Sequence, residues 1–209
     1  MKKGKQGCMP LQAPMGETTV LLHTCCAPCS SAIIEAMMKS GITPVIYYCN
    51  PNIYPQEEYE IRKEECSRYA KSLGLEIIDA DYDHENWLAQ MSGLEDEPER
   101  GGRCLRCFKL RLLRTAEYAT QRGIRVIATT LASSRWKSLD QINEAGQWAC
   151  GQISNRLEKE GFPVMAPPVW WPHNWKKGGL QERRLQIIKE YGFYNQQYCG
   201  CEFSMRHLE

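Results

Sequence analysis

Residues 19–49 read TVLLHTCCAPCSSAIIEAMMKSGITPVIYYC. Thr19 to His23 is a short apolar run. Pro28 to Lys39 has the look of a helix with Ser30 and Ser31 in its first turn, and Gly41 ends it. The β-branched and aromatic stretch from Thr43 to Cys49 then reads as a second strand. Strand, helix and strand in this order make a βαβ unit, which commits the chain to a parallel sheet covered by helices.

The same alternation continues outward. The loop NPNIYP leads into a charged helix from Gln56 to Leu73 that stops at Gly74, and EIIDADYD follows as a third strand. A shorter helix around Trp87 and the acidic loop LEDEPERGG precede a long helix from Arg103 to Gln121, which ends at Gly123. Arg125 to Leu131 is the fourth strand, Leu139 to Glu160 a helix, PVMAPPVW a candidate fifth strand, and Leu180 to Tyr191 the last helix before the tail YNQQYCGCEFS. The expected fold is α/β, a doubly wound, mostly parallel sheet with helices on both faces. Ligands in such sheets collect outside the carboxyl ends of the strands, where the strand order reverses. CCAPC, Cys49-Asn50-Pro51, Asp79 to Asp83 and Thr129 to Ser134 all follow strand candidates and are expected to share that edge. Residues 1–17 read as a flexible tail and 18–209 as one catalytic domain, with the Pro- and Trp-rich segment 163–179 a candidate lid or subdomain.

The chain has 209 residues, 43% of them hydrophobic, enough for a real core. Lys plus Arg number 26 against 25 acidic residues, so no global charge advertises a nucleic-acid or membrane partner. The apolar runs are too short to span a bilayer and the basic N-terminus lacks an apolar leader core, which points to a cytoplasmic protein with no membrane partner. In that compartment eleven cysteines do not form a disulfide framework. Clustered cysteines there point to metal or redox catalysis.

Three close groups stand out: Cys25-Cys26 with Cys29, Cys104 with Cys107, and Cys199 with Cys201. Cys26-Ala27-Pro28-Cys29 between a strand and a helix has the form of a thiol–disulfide redox pair. That reading leaves Cys25 and the two later pairs without a task. Cys104 and Cys107 sit at i and i+3, on one helix face, and Gly200 lets the backbone curl between Cys199 and Cys201. A zinc-stabilised RNA-binding module would also use cysteine pairs, but seven thiols exceed one tetrahedral zinc, and a four-cysteine iron–sulfur cluster with ligands left for a second metal fits the count better. Cys8, Cys49, Cys66 and Cys150 are isolated and read as structural, and His84, His173 and His207 have no partner spacing.

LLHTCCAPC, YYCNPNIYPQEEYEIR, DYD with EDEPERGGRCLRCFKLRL, ATTLASS, NWKKGG and YCGCEFS together resemble the metal-dependent, cobalamin-independent epoxyqueuosine reductase family QueH, from about Leu21 to Ser204. The chain departs from the family pattern at Asn195 and Arg135. The resemblance implies a HUP-type α/β fold and removal of the epoxide oxygen of epoxyqueuosine at the wobble position of tRNA, the last step of queuosine synthesis. It implies a [4Fe-4S] cluster beside a mononuclear iron. Carried onto this sequence, Cys25, Cys26, Cys104 and Cys107 hold the cluster, while Cys199, Cys201 and Asp83 hold the second iron; Cys29 is able to replace any of these. Asp after a strand also commonly caps a helix. Candidate proton donors are Tyr48, Glu57 and Tyr198, and His23 is a candidate ligand or supporting hydrogen-bond partner. No dinucleotide fingerprint is present, so the low-potential electrons come from an external donor. Six basic residues between Arg100 and Arg114, and the interleaved Trp170, Trp171, Trp175, Lys176 and Lys177, are the candidate RNA contacts. A solvated helix face and a packed hydrophobic corner produce the same patterns.

Overall fold

The computed structural model describes residues 10–160, 166–194 and 196–205. Its strands are β1 (Thr19–His23), β2 (Thr43–Tyr48), β3 (Ile77–Asp79), β4 (Val126–Thr129) and β5 (Val169–Trp170). The helices are α1 (Ala27–Lys39), α2 (Gln56–Ser72), α3 (His84–Gln90), α4 (Gly102–Gln121), α5 (Leu139–Glu160), α6 (Leu180–Tyr191) and α7 (Glu202–Met205). All five strands are parallel, in the order β3-β2-β1-β4-β5. Strand order therefore reverses between β1 and β4, where two neighbouring strands are followed by connections that leave in opposite directions.

Helices cover both faces, as the βαβ reading requires: α1 packs with α2 and α6, and α4 packs with α5. Val20 to His23 of β1 are all buried, because a central strand has helices above and below it. Nearly every residue of α1 from Ala27 to Met37 is buried as well, which its small and apolar side chains, interrupted only by Glu35, permit. Gly146 in α5 lets that helix meet β5: a Cβ there would stand 2.2 Å from Cδ2 of Trp170.

Three elements are shorter than their sequence patterns. Only Ile77–Asp79 of EIIDADYD pairs with β2, on an edge position. Arg125 to Leu131 gives a strand to Thr129 and then a 3-10 turn over Thr130–Ser133, capped by the Thr129 hydroxyl, which accepts from the Leu131 amide at 3.2 Å. PVMAPPVW contributes Val169 and Trp170 alone; Pro167 and Pro168 lack the N–H a ladder needs, and 163–165 lie outside the described residues. Of the N-terminal segment, 1–9, with Cys8, lie outside them too; from Pro10 the chain lies on the domain, with Ala13 buried and the Leu11 amide donating to Ser40 Oγ at 2.8 Å. Among the described residues no helix is long and apolar enough to cross a membrane.

Candidate metal centre

The end of β1 delivers the first sulfurs to the switch point. His23 pairs in register with Thr129 of β4, and its Nδ1 lies 2.7 Å from the Thr129 hydroxyl. Its Nε2 lies 3.0 Å from the Cys49 carbonyl, which only accepts, so Nε2 carries the proton and Nδ1 accepts from Thr129. Burial, reinforced by the Arg111 charge, lowers the His23 pKa to about 3 and keeps the ring neutral. His23 is thus a buried hydrogen-bonded tie between strand ends.

The chain then turns into α1 with Pro28 in its first turn. Sulfur atoms of Cys25, Cys26 and Cys29 all lie within 4.8 Å of one another and all three residues are buried. Cys25 and Cys26 Sγ are 3.9 Å apart, and the Cys25 amide donates to Thr130 Oγ1 at 3.2 Å. Ser133 Oγ donates to the Cys29 carbonyl at 3.3 Å, so the turn after β4 braces the turn after β1. Hydrogen bonds from Cys26 and Cys29 lower the Cys25 pKa well below the ordinary thiol value. The same interactions raise Cys26, and Cys29 is raised to about 12. A Cys26–Cys29 redox pair has no task for Cys25, whose sulfur packs with both of theirs.

Cys104 and Cys107 stand one turn apart on α4. Cys107 packs with Trp87, Met91 and Phe203, and Cys201 packs against the same cluster. Burial, and after it the Arg100 amide and the neighbouring sulfurs of Cys107, Cys199 and Cys201, leave the Cys104 thiol at about 11; burial with Cys199 and Cys107 also raises Cys201. The four downstream cysteines therefore lie in one region, but among the described residues only Cys25, Cys26 and Cys29 bring three ligand atoms within 4.8 Å of one another. Gly200, at φ 124°, lets the Cys199–Cys201 turn lie against Arg62, whose Nη1 would be 3.0 Å from a Cβ there. Arg62 is itself buried and paired with Glu58, Nη2 to Oε1 2.6 Å.

Two buried cations join the groups. Arg111 is 2% exposed; its Nε donates to the Cys49 carbonyl at 3.1 Å, its Nη2 to Asn50 Oδ1, and its Nη1 lies 3.9 Å from Cys107 Sγ. Its charge acts on Cys107, Cys25 and Cys49. Lys137, 9% exposed, acts on Cys199, Cys25 and Cys29, and the sulfurs in turn raise its pKa against the effect of burial. Among the described residues neither cation forms an ion pair with a carboxylate. Two buried positive charges without carboxylates call for anions, and the thiols around them are the available source. A thiolate-bound metal centre, negatively charged overall, fits this environment.

Asp83 precedes α3, is exposed, and accepts from Asn86 Nδ2 at 3.0 Å without capping the helix. The next residue, His84, has partners that sequence spacing does not reveal: Nδ1 is 2.7 Å from the Pro51 carbonyl and Nε2 3.4 Å from Glu202, and its ring lies among Tyr54, Tyr82 and Trp87. It links the loop after β2 to α7, just beyond Cys201. Tyr48 and Tyr198 donate to the carbonyls of Tyr59 and Tyr54, and burial raises both phenols, Tyr198 to about 12. Both hydroxyls therefore stay protonated near neutral pH, each already donating to a backbone carbonyl.

The basic stretch on α4 is only in part a solvated face, with Arg106 exposed. Arg103 and Arg111 are buried, Arg103 Nη1 donating to the carbonyls of Leu94 and Glu95 at 3.1 and 2.8 Å, and Lys109 pairs with Glu144 at 2.7 Å. The tryptophan group is a packed corner: Trp170, Trp171 and Trp175 are buried, with the rings of Trp171 and Trp175 5.3 Å apart at 75°. The exposed tryptophan is Trp136.

A family model described as "Epoxyqueuosine reductase QueH" matches residues 20–207, a span that contains all seven grouped cysteines. The chain belongs to the epoxyqueuosine reductase QueH family. It is 45% identical to the epoxyqueuosine reductase QueH of Histophilus somni over 94% of this chain and 76% of that protein. The QueH protein of Acinetobacter baylyi is 42% identical over 94% of this chain and 84% of its own length. That of Thermotoga maritima is 33% identical over 90% of both. Membership of this reductase family makes the chain an oxidoreductase, and the QueH proteins are similar to it across the whole α/β domain.

Proposed function

We propose that the protein reductively deoxygenates the epoxide of epoxyqueuosine in tRNA, the last step of queuosine synthesis in the cytoplasm. The match of the QueH model across residues 20–207 carries the proposal, and the sulfur-lined switch point supports it. Converting the epoxide to an alkene takes two electrons and two protons and releases water. No side chain on this site supplies low-potential electrons, so they come from an external donor through a bound centre.

The proposed cofactors are a [4Fe-4S] cluster held by Cys25, Cys26, Cys104 and Cys107, and a mononuclear iron held by Cys199, Cys201 and Asp83, with Cys29 able to replace one of the sulfur ligands. When bound, the cluster supplies electrons one at a time and the iron a Lewis acid for the epoxide oxygen. The chain's own residues set the conditions. Arg111 and Lys137 favour the thiolate form that ligation requires and would offset the negative charge added on reduction. His23, being neutral and bonded at both nitrogens, keeps β1 and β4 at fixed separation beneath the sulfurs. Trp87 of α3 packs in the cluster of side chains shared by Cys107 and Cys201, and Asp83 is the residue before that helix.

The test is iron, zinc and acid-labile sulfide per chain after purification without oxygen, followed by reduction of epoxyqueuosine tRNA with a chemical electron donor. Roughly four sulfides with four to five irons, and conversion to queuosine, are the expected results. Zinc without sulfide, or no conversion by the iron-loaded protein, refutes the proposal.

A further inference from the structure

Trp136 is 57% exposed, and its backbone is held from several sides. Arg100 Nε donates to the Trp136 carbonyl at 3.0 Å and Nη2 to the Arg135 carbonyl at 2.9 Å, so a whole guanidinium is used to fix this turn. Arg100 adopts φ 68°, in the left-handed region, and its own carbonyl accepts from Gln141 Nε2 at 2.7 Å. The Trp136 amide donates to Ser134 Oγ at 3.2 Å. The Arg135 guanidinium lies over the indole, 4.6 Å from the ring centroid, and among the described residues has no carboxylate partner.

The platform stands at the rim of the sulfur site. The Arg100 amide donates to Cys104 Sγ at 3.3 Å, and Lys137, the residue after Trp136, is buried. One short turn thus presents an aromatic ring and a cation outward and the buried ammonium inward. An exposed indole with a free guanidinium on it is what single-stranded nucleic acid recognition uses: the ring stacks on a base and the cation meets the adjacent phosphate.

We infer that Trp136 and Arg135, clamped by Arg100, form a stacking site for an unpaired nucleotide next to the modified nucleoside, holding the anticodon loop splayed while that nucleoside reaches the metal centre. The inference rests on the proposed function for the identity of the RNA. It assigns the RNA contact to this turn and away from the buried arginines of α4 and the packed tryptophans.

The experiment uses the iron-loaded protein and a fluorescein-labelled anticodon stem–loop bearing epoxyqueuosine. Binding is measured by anisotropy for the wild type, W136A, W136F and R135A, with iron and sulfide content as the fold control. W136A weakens binding by roughly five- to a hundredfold, and W136F restores most of it. R135A weakens binding at low salt and flattens the salt dependence. RNA quenches tryptophan emission in the wild type and loses that effect in W136F, because the other indoles are buried or half-buried. In turnover the W136A loss falls on KM more than on kcat. Wild-type affinity in W136A, with the wild type itself binding and turning over, overturns the inference and leaves the proposed function standing. Reduced turnover at unchanged RNA affinity also overturns it and gives the platform to the electron donor instead. A wild type that neither binds nor reduces the RNA overturns both.

Discussion

Replacement of Arg111 by Met tests whether the buried cations are there for a metal centre. Methionine keeps the length and apolar stem of the side chain and removes the charge and the donors. Of the acceptors, the Cys49 carbonyl keeps its bond from His23 Nε2 at 3.0 Å, whereas Asn50 Oδ1 loses the donor Arg111 provides. In the metal-free protein that orphaned acceptor costs about 1–3 kcal/mol. The loss is offset because an uncompensated buried charge leaves with the guanidinium. In the loaded protein the charge is compensated: a full negative charge at the 3.9 Å separation of Nη1 and Cys107 Sγ interacts by about 4 kcal/mol at an effective dielectric of about 20. Sharing of the thiolate charge with metal reduces this to roughly 2–4 kcal/mol, or about thirty- to a thousandfold in metal retention. The assay is competition of wild type, R111M and R111K with an iron chelator under anaerobic conditions, together with the midpoint potential of the cluster by titration. R111M loses iron faster and its potential moves to more negative values, because the reduced form carries the greater negative charge; R111K falls between. Equal metal retention and equal potential in R111M and wild type would refute the electrostatic reasoning. R111K behaving like R111M would transfer the role to hydrogen-bond geometry.

Cys25→Ala and Cys107→Ala each abolish the visible absorption of the iron–sulfur cluster, while Asp83→Ala retains it and loses turnover; full activity in the aspartate variant would mean that another carboxylate or a water serves the second iron. Gly146→Ala forces a Cβ to 2.2 Å from a rigid indole, so either α5 or β5 shifts, at a cost of about 1–3 kcal/mol and a fall of roughly 2–12 °C in Tm by calorimetry. Gly200→Ala meets both φ 124° and Arg62 Nη1 at 3.0 Å, a strain of order 1–3 kcal/mol in the Cys199–Cys201 turn. Iron per chain then falls by about one with sulfide unchanged, and loss of sulfide as well would show that this turn serves the cluster.

The first βαβ unit was legible because each of its signals is local: an apolar run, Pro at a helix start, glycine at its end. β3 and β5 were overread because pairing is not local; Asp81 and Asp83 run past the last β2 partner, and consecutive prolines cannot extend a ladder. On α4 the information was present and misweighed. Arg103, Cys107 and Arg111 recur every four residues, so they lie along one stripe, and the burial of Cys107 carries both arginines inward with it. Six cations in fifteen residues therefore do not make one charged patch. Lys137 and Trp136 had no such signal, since they sit in an irregular turn whose direction depends on Arg100, some 35 residues earlier. Aromatic density favours the Trp170–Trp175 corner, where Trp171 packs on Trp175 and Trp170 Nε1 donates to Asn143 Oδ1.

The two cations also say why the sulfurs are found at a switch point rather than along one helix. Arg111 comes from α4, in the helix layer on one face of the sheet, and reaches across the ends of β1 and β2 to Cys49 and Asn50. Lys137 comes from the turn that follows β4. Each acts on sulfurs of both groups, so neither group is electrically complete without the other, and the cations are compensated only when thiolates from β1, α4 and the Cys199–Cys201 turn are charged together. Ligation charges them together, because bound metal deprotonates cysteines that burial otherwise keeps neutral. Loading and tertiary structure are therefore coupled through charge as well as through bonds. Metal removal by a chelator lowers thermal stability most where these elements meet, and amide exchange there, at β1's end, the first turns of α4 and α7, rises more than in α2 or α5. Uniform change across the domain would mean that the cations are compensated some other way.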